Sequence, residues 1–263
     1  MGYSDRHAER CEVSAGERVT TDAPMTAQTL FKAGRLDDAI GALSTELRDN
    51  PTDAQRRTFL FELLCFAGNF DRAAKQLDIL AQGGKEAAMG TLLYQSALHA
   101  ERTRQSMFAE DRLPLFSEAP QAVSGTLNGK PFTSIEDGDP RVGPRVELFA
   151  AGQYTLIPFA HIESIRMQPP KRLRDLLWAP VIVRTAPSFK GVELGEVMMP
   201  VMTPASWQDE DDAIRLGRST AWIALEDGRE APIGQRVLRI DDEEVPLLEL
   251  RDLVMTSATG GTS

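Results

Sequence analysis

The sequence predicts an α+β multidomain chain, with tetratricopeptide-like helical hairpins at the amino end followed by a mainly antiparallel, β-rich α+β domain. Three observations carry this expectation. KAGRLDDAI at 32–40 recurs as FAGNFDRAA at 66–74, an offset of 34 residues that belongs to paired-helix repeats. Beyond Pro114 and Pro120 the helical period gives way to short segments rich in Val, Ile, Leu, Phe and Thr, broken by Asn128-Gly129, Gly152 and Asp227-Gly228. No long helical pattern alternates with those segments, which disfavours a doubly wound parallel sheet.

Residues 1–24 have Val13 and Val19 as their only strong aliphatics, too few to offset the entropy of ordering, and read as a disordered leader. Met25 opens the first periodic segment and is an alternative start of translation. The helical domain is expected over 25–115. In its two units Gly34 and Gly68 end the first helix, because a residue without Cβ permits the tight turn. Asp37 and Asp71 open the second helix, and Ala39 and Ala73 stand where the two helices touch. Leu30 and Leu43 supply the apolar pack of the first unit, Leu64 and Leu77 that of the second, and Pro51 stops the first unit where the second has Lys85. After Gly83-Gly84, residues 85–111 predict a capping helix with Leu92, Leu93, Ser96, Ala97 and Ala100 at helical spacing. Two units and a cap bury little surface alone, so the array should lean on the rest of the chain.

The boundary is placed at 113–122 and the second domain at 120–256. Its strands are expected within TLNGKPF, VELFAAGQYTLIPF, WAPVIVRT, GEVMMPVM, STAWIALEDGREAP and QRVLRIDDEEVPLLEL. KRLRDLLW at 171–178 predicts a short helical turn and RDLV at 251–254 another, with 257–263 a disordered tail.

Charge and cysteine usage narrow the classes of function. The 29 Lys and Arg against 39 Asp and Glu give a net charge of −10, and both halves of the chain are acidic. That balance lacks the positive footprint of a general nucleic-acid binder or of a protein held on anionic lipid. No stretch approaches the ~18 consecutive apolar residues of a membrane span, so no membrane insertion is expected. Cys11 and Cys65 form neither a disulfide framework nor a CxxC site, which fits a reduced, cytoplasmic setting.

Residues that could carry chemistry are sparse. His7, His99 and His161 stand at no metal-ligand spacing, and the acidic runs at 209–212 and 241–244 lack the alternation of a calcium loop. Neither a phosphate-cradling glycine loop nor a nucleophile elbow is present, so no cofactor or metal is expected. An enzyme in the second domain would draw on His161, Asp209 or Asp211; the alternative is a hydrogen-bonded structural His and solvated turn or helix-start carboxylates. The most distinctive segment is IRMQPPKRLRDLLWAP, where Arg166, Lys171, Arg172 and Arg174 precede Leu176, Leu177 and Trp178. Such a patch suits an acidic partner surface, or else the cations coat the rim of a core that takes Leu176 and Trp178. RLGRSTAWIAL, with Arg215 and Arg218 flanking Gly217 before Trp222, is a second composite motif.

RDLLWAP, GEVMMPVMTPASW, RLGRSTAW and the closing PLLELRDL, in this order behind the repeats, resemble the ImpE family, also called SciE-type or TagJ proteins. The resemblance covers essentially residues 26–255. It departs from the usual pattern at Arg172-Leu173-Arg174, where Pro precedes Arg-Asp, and at Ser219-Thr220-Ala221-Trp222, where Thr-Asp-Trp is usual. The resemblance implies a helical-repeat part joined to a family-specific α/β part and a non-catalytic accessory role in bacterial type VI secretion. It further implies binding of the sheath small subunit through that subunit's N-terminal helix, and assistance to the ClpV-type AAA+ ATPase that recycles contracted sheath. Stacked hairpins offer a concave surface suited to such a helix. By repeat position the inner face presents Gln28, Phe31 and Lys32, then Thr58, Glu62, Cys65 and Phe66. In the alternative, Phe31 and Phe66 close the core between repeats.

Overall fold

The computed structural model describes residues 25–114, 123–191 and 193–256; the expected leader, the tail and most of the 113–122 boundary lie outside them. Five helices come first. Helix α1 (Ala27–Lys32) is capped by Thr26, whose hydroxyl accepts from the Thr29 amide, and α2 (Leu36–Asp49) buries Leu36, Ala39, Ile40, Leu43 and Leu47 along one stripe. Helix α3 (Ala54–Phe66), capped by Asp53, and α4 (Phe70–Ala81) repeat this hairpin, and α5 (Lys85–Ala109) closes the array. Positions one repeat apart have matching surroundings: Ala39 and Ala73 are both 0% exposed, Leu43 1% and Leu77 2%. Gly34 and Gly68 adopt φ of +79° and +67°, the left-handed turn required at the end of each first helix.

The remainder is mostly antiparallel strand. In chain order these are β1 (Gly125–Leu127), β2 (Lys130–Phe132), β3 (Ile135–Asp137), β4 (Arg145–Ala150), β5 (Gln153–Pro158), β6 (Ile162–Met167), β7 (Trp178–Thr185) and β8 (Gly195–Pro200). A short helix, α6 (Asp212–Arg215), then precedes β9 (Thr220–Ala224), β10 (Glu230–Gly234), β11 (Val237–Ile240), β12 (Glu243–Pro246) and β13 (Asp252–Met255). Eight of them form one sheet in the order β2-β1-β13-β6-β7-β8-β4-β5, with a three-stranded sheet β12-β11-β3 and the hairpin β9-β10 beside it. The turns at Asn128-Gly129, at Ala151-Gly152 and at Gly228 carry positive φ, as hairpin connections demand.

One expectation is overturned. RDLV is strand, not helix: residues 252–255 form β13, which pairs with β1 on one side and β6 on the other. Leu253 and Met255 alternate inward with Asp252 and Val254 more exposed, so two partners in the sheet override a locally helical composition. Strands β3 and β6 were not expected from the sequence. KRLRDLLW does turn, as a 3-10 segment over Leu173–Leu176, and then runs into β7 at Trp178.

The helices do lean on the sheet. Phe149, Leu177, Trp178, Met198 and Leu216 belong to the same apolar cluster as Leu36, Phe61, Leu64 and Leu77. A buried ionic network crosses this junction. Arg104 of α5 donates through Nε (2.7 Å) and Nη2 (2.9 Å) to the two carboxylate oxygens of Glu147 on β4. The Tyr154 hydroxyl donates to Glu147 at 2.7 Å, Arg236 Nε lies 3.0 Å from it, and Arg236 also pairs with Asp137. Burial pushes the Glu147 carboxyl up, but Arg104 and Arg236 more than offset that and hold it at about 2.

Candidate functional site

The turn at 172–174 and the first helix of each repeat wall a groove of about 900 Å³. Helix α1 supplies Gln28, Phe31 and Lys32, α3 supplies Thr58, Phe59 and Glu62, and Arg172 and Arg174 close the far side. Spacing explains the grouping, since 28, 31 and 32, and likewise 58, 59 and 62, fall on one face of their helices. Phe31 and Phe59 meet edge to face, ring centres 5.7 Å apart, so the edge of one ring rests on the face of the other and together they give the groove an apolar floor. Arg56 is held by Glu46 (3.0 Å) and by Asp53.

Glu62 is the most perturbed group in the groove. It is buried, and burial pushes its carboxyl up to about 7, against the pull of Arg174, whose Nε lies 3.2 Å away. Arg174 in turn stacks on Tyr94 with its guanidinium carbon 4.6 Å from the ring centre, forming a ridge between this groove and a second one of about 660 Å³. Leu93, Tyr94, Phe149 and Met198 line the second groove, with Lys171 and Arg172 on its rim.

Five of the seven inner-face residues therefore come together: Gln28, Phe31, Lys32, Thr58 and Glu62. Cys65 and Phe66 do not. They are 4% and 2% exposed and pack beneath Leu177, Trp178 and Trp207, because the sheet half roofs the last turn of α3. They share a helical stripe with Thr58 and Glu62, but the groove ends before it reaches them. Sequence reasoning missed Phe59 and Arg56, which stand beside the expected positions on the same helix.

The basic patch separates. Trp178 is core, 2% exposed, with its indole Nε1 donating to Glu101 at 3.1 Å. Arg166 sits on the sheet and pairs with Asp252 at 3.0 Å. Arg172 and Arg174 join the groove, and Lys171 the second groove. The RLGRSTAW cations brace the first hairpin: Arg215 Nη1 donates to Asp37 at 2.9 Å, and Arg218 donates to the carbonyls of Phe31 (2.6 Å) and Lys32 (3.2 Å) at the end of α1. Asp212 accepts from the Leu36 amide at 2.8 Å, which serves the start of α2. On the other hairpin Trp207 lies against Gly68, so one segment, 207–218, grips both repeat turns.

The remaining candidates are dispersed. His161 Nδ1 lies 3.0 Å from the Ser188 hydroxyl, while Asp209 accepts from the Asp211 amide and Asp211 from the Ala213 amide as turn and helix caps. Among the described residues no group of three or more His, Cys, Asp and Glu side chains is placed to hold a metal ion, and no helix is long and apolar enough to cross a membrane.

Fold and site define a class of protein: a two-hairpin helical array seated on an antiparallel sheet, with an open, partly aromatic groove where the two meet. Residues 129–254 match the family model of the ImpE protein. The chain is 32% identical, over 90% of its length and 94% of the relative's, to a protein of Pseudomonas aeruginosa named type VI secretion system accessory component TagJ. Its fold is similar to the crystal structure of a Vibrio parahaemolyticus protein, with a TM-score of 0.76 at 24% identity over 88% of this chain and 97% of that one. The chain belongs to the ImpE family.

Proposed function

We infer that the protein is a non-catalytic accessory component of a type VI secretion system whose groove holds the N-terminal helix of the sheath small subunit, and that in doing so it assists ATPase-driven recycling of the sheath. The observation that carries this reading is the convergence of Gln28, Phe31, Lys32, Thr58 and Glu62 with Phe59 in one open groove. An amphipathic helix presents apolar side chains at i, i+3, i+4 and i+7, and the exposed edges of Phe31 and Phe59 supply the apolar contact such a row requires. The name of the Pseudomonas aeruginosa relative supports the secretion-system assignment.

The test is a calorimetric titration of the full chain with a synthetic peptide of that sheath helix. Saturable binding is expected, and Thr58→Trp, which fills the groove with an uncharged bulky side chain from a half-buried position on α3, should weaken it by about ten-fold or more. Absence of saturable binding by the parent chain rules the reading out.

A further inference from the structure

The charges lining the groove are not balanced among themselves. Glu46 and Asp53 are committed to Arg56, and Glu62 to Arg174. Asp175, at the ridge, accepts from the backbone amides of Lys171 (2.8 Å) and Arg172 (2.9 Å) through one oxygen. Lys32 and Arg172 line the groove and are exposed, and among the described residues neither is in an ion pair. Lys171 stands beside Arg172 in the same condition on the rim of the second groove, whose lining also holds the exposed Glu196, likewise in no ion pair among the described residues. Elsewhere in the two basic motifs the cations are spent internally: Arg166 on Asp252, Arg215 on Asp37 and Asp212. Of the groove-lining residues, Lys32, Arg56, Arg172 and Arg174 are cations against the carboxylates of Glu46, Asp53 and Glu62, so the groove carries one surplus positive charge on a chain whose net charge is −10.

We propose that the segment seated in this groove is an acidic amphipathic one, whose carboxylates pair with Lys32 at one end and with Arg172 and Lys171 at the ridge, while its apolar row covers Phe31 and Phe59. The proposal rests on the groove being the binding site and adds the chemical character of what it accepts. Exposed cations outside any ion pair bind a carboxylate without first breaking one, although Arg172 also feels Glu62 through space. They steer association from a distance, so the recognition they provide is sensitive to salt. The carboxylates already in the groove repel an acidic segment less than their number suggests, since Glu46 and Asp53 share Arg56 and Glu62 lies against Arg174.

The same sheath-helix peptide, in its native form and with every Asp and Glu replaced by Asn and Gln, tests this by titration of the full chain at low and at high salt. The native peptide should bind more weakly at high salt, and its neutralised form about ten-fold more weakly at low salt. Lys32→Glu/Arg172→Glu should reproduce that loss and bind the two peptides alike; both positions are exposed, and unchanged circular dichroism and melting temperature will show the variant folded. Native and neutralised peptides binding the parent chain equally, or charge reversal that leaves affinity unchanged, would overturn the proposal. If Thr58→Trp still weakens binding in that case, the groove remains the site and only its charge preference is lost. No binding of any peptide by the parent chain overturns both.

Discussion

Glu62 and Glu147 are two buried carboxylates with opposite shifts, and the partner count explains the difference. Glu147 faces Arg104, Arg236 and the Tyr154 hydroxyl; Glu62 has burial and Asp175 against it, with Arg174 its one ion-pair partner and Arg172 a weaker pull. The raised value at Glu62 means that folding favours its protonated form. Its contribution to stability is complete below the ordinary carboxylate value of 4.5 and is lost as pH rises through about 7. Glu62→Gln keeps a neutral group of the same shape, so thermal melts between about pH 5 and 8 should show the parent losing ground to the variant as pH increases. For Glu147 the sign reverses: its stabilisation is present above 4.5 and falls away only toward about 2. Glu147→Gln leaves two buried guanidinium groups undercompensated and should cost about 3–5 kcal/mol in urea unfolding. Replacing Arg104 by Met in the same chain should recover part of that loss, because one of the stranded charges goes with it.

The hairpin turns give a matched pair of tests. Gly34 and Gly68 occupy equivalent repeat positions with the same backbone conformation, but a Cβ at Gly34 meets only the tip of Arg218 at 3.4 Å, whereas one at Gly68 would enter the Trp207 ring. Gly34→Ala should cost about 1–2 kcal/mol for the left-handed conformation, and Gly68→Ala distinctly more, with a change in tryptophan fluorescence as Trp207 moves. The pairing of helices was legible beforehand because the 34-residue offset repeats the steric requirement itself: a glycine, an acid and a small residue at fixed separations. Hairpin strands were legible from turn residues for the same reason. What escaped was set by distant partners. Strand β13 is four residues long and helical in local composition, and only its neighbours β1 and β6 make it extended. The groove was half legible: helical spacing found the inner stripe of α3, but nothing local says that Trp178 and Leu177 roof its last turn. Arg104, Asp137, Glu147 and Arg236 are scattered over the chain, and no motif announces that they meet.

The whole molecule behaves as one cooperative body if the shared core is the main support of the helices. Phe61 is 0% exposed and packs toward Trp178 at a ring separation of 6.3 Å, so the array's central residue is completed by the sheet. Far-ultraviolet circular dichroism, dominated by the helices, and near-ultraviolet signals from the tryptophans should therefore melt together, and residues 25–111 produced alone should show no cooperative transition. Two separate transitions would contradict this. The double grip by residues 207–218 also sets how the architecture can vary. Solenoids of this kind usually lengthen by duplicating a unit, but here each bend has its own dedicated brace, Arg218 for one and Trp207 for the other. An inserted third unit would have no brace waiting for it and would pry the capping helix from the strands below, so descendants of this design can diversify the groove far more readily than they can extend it.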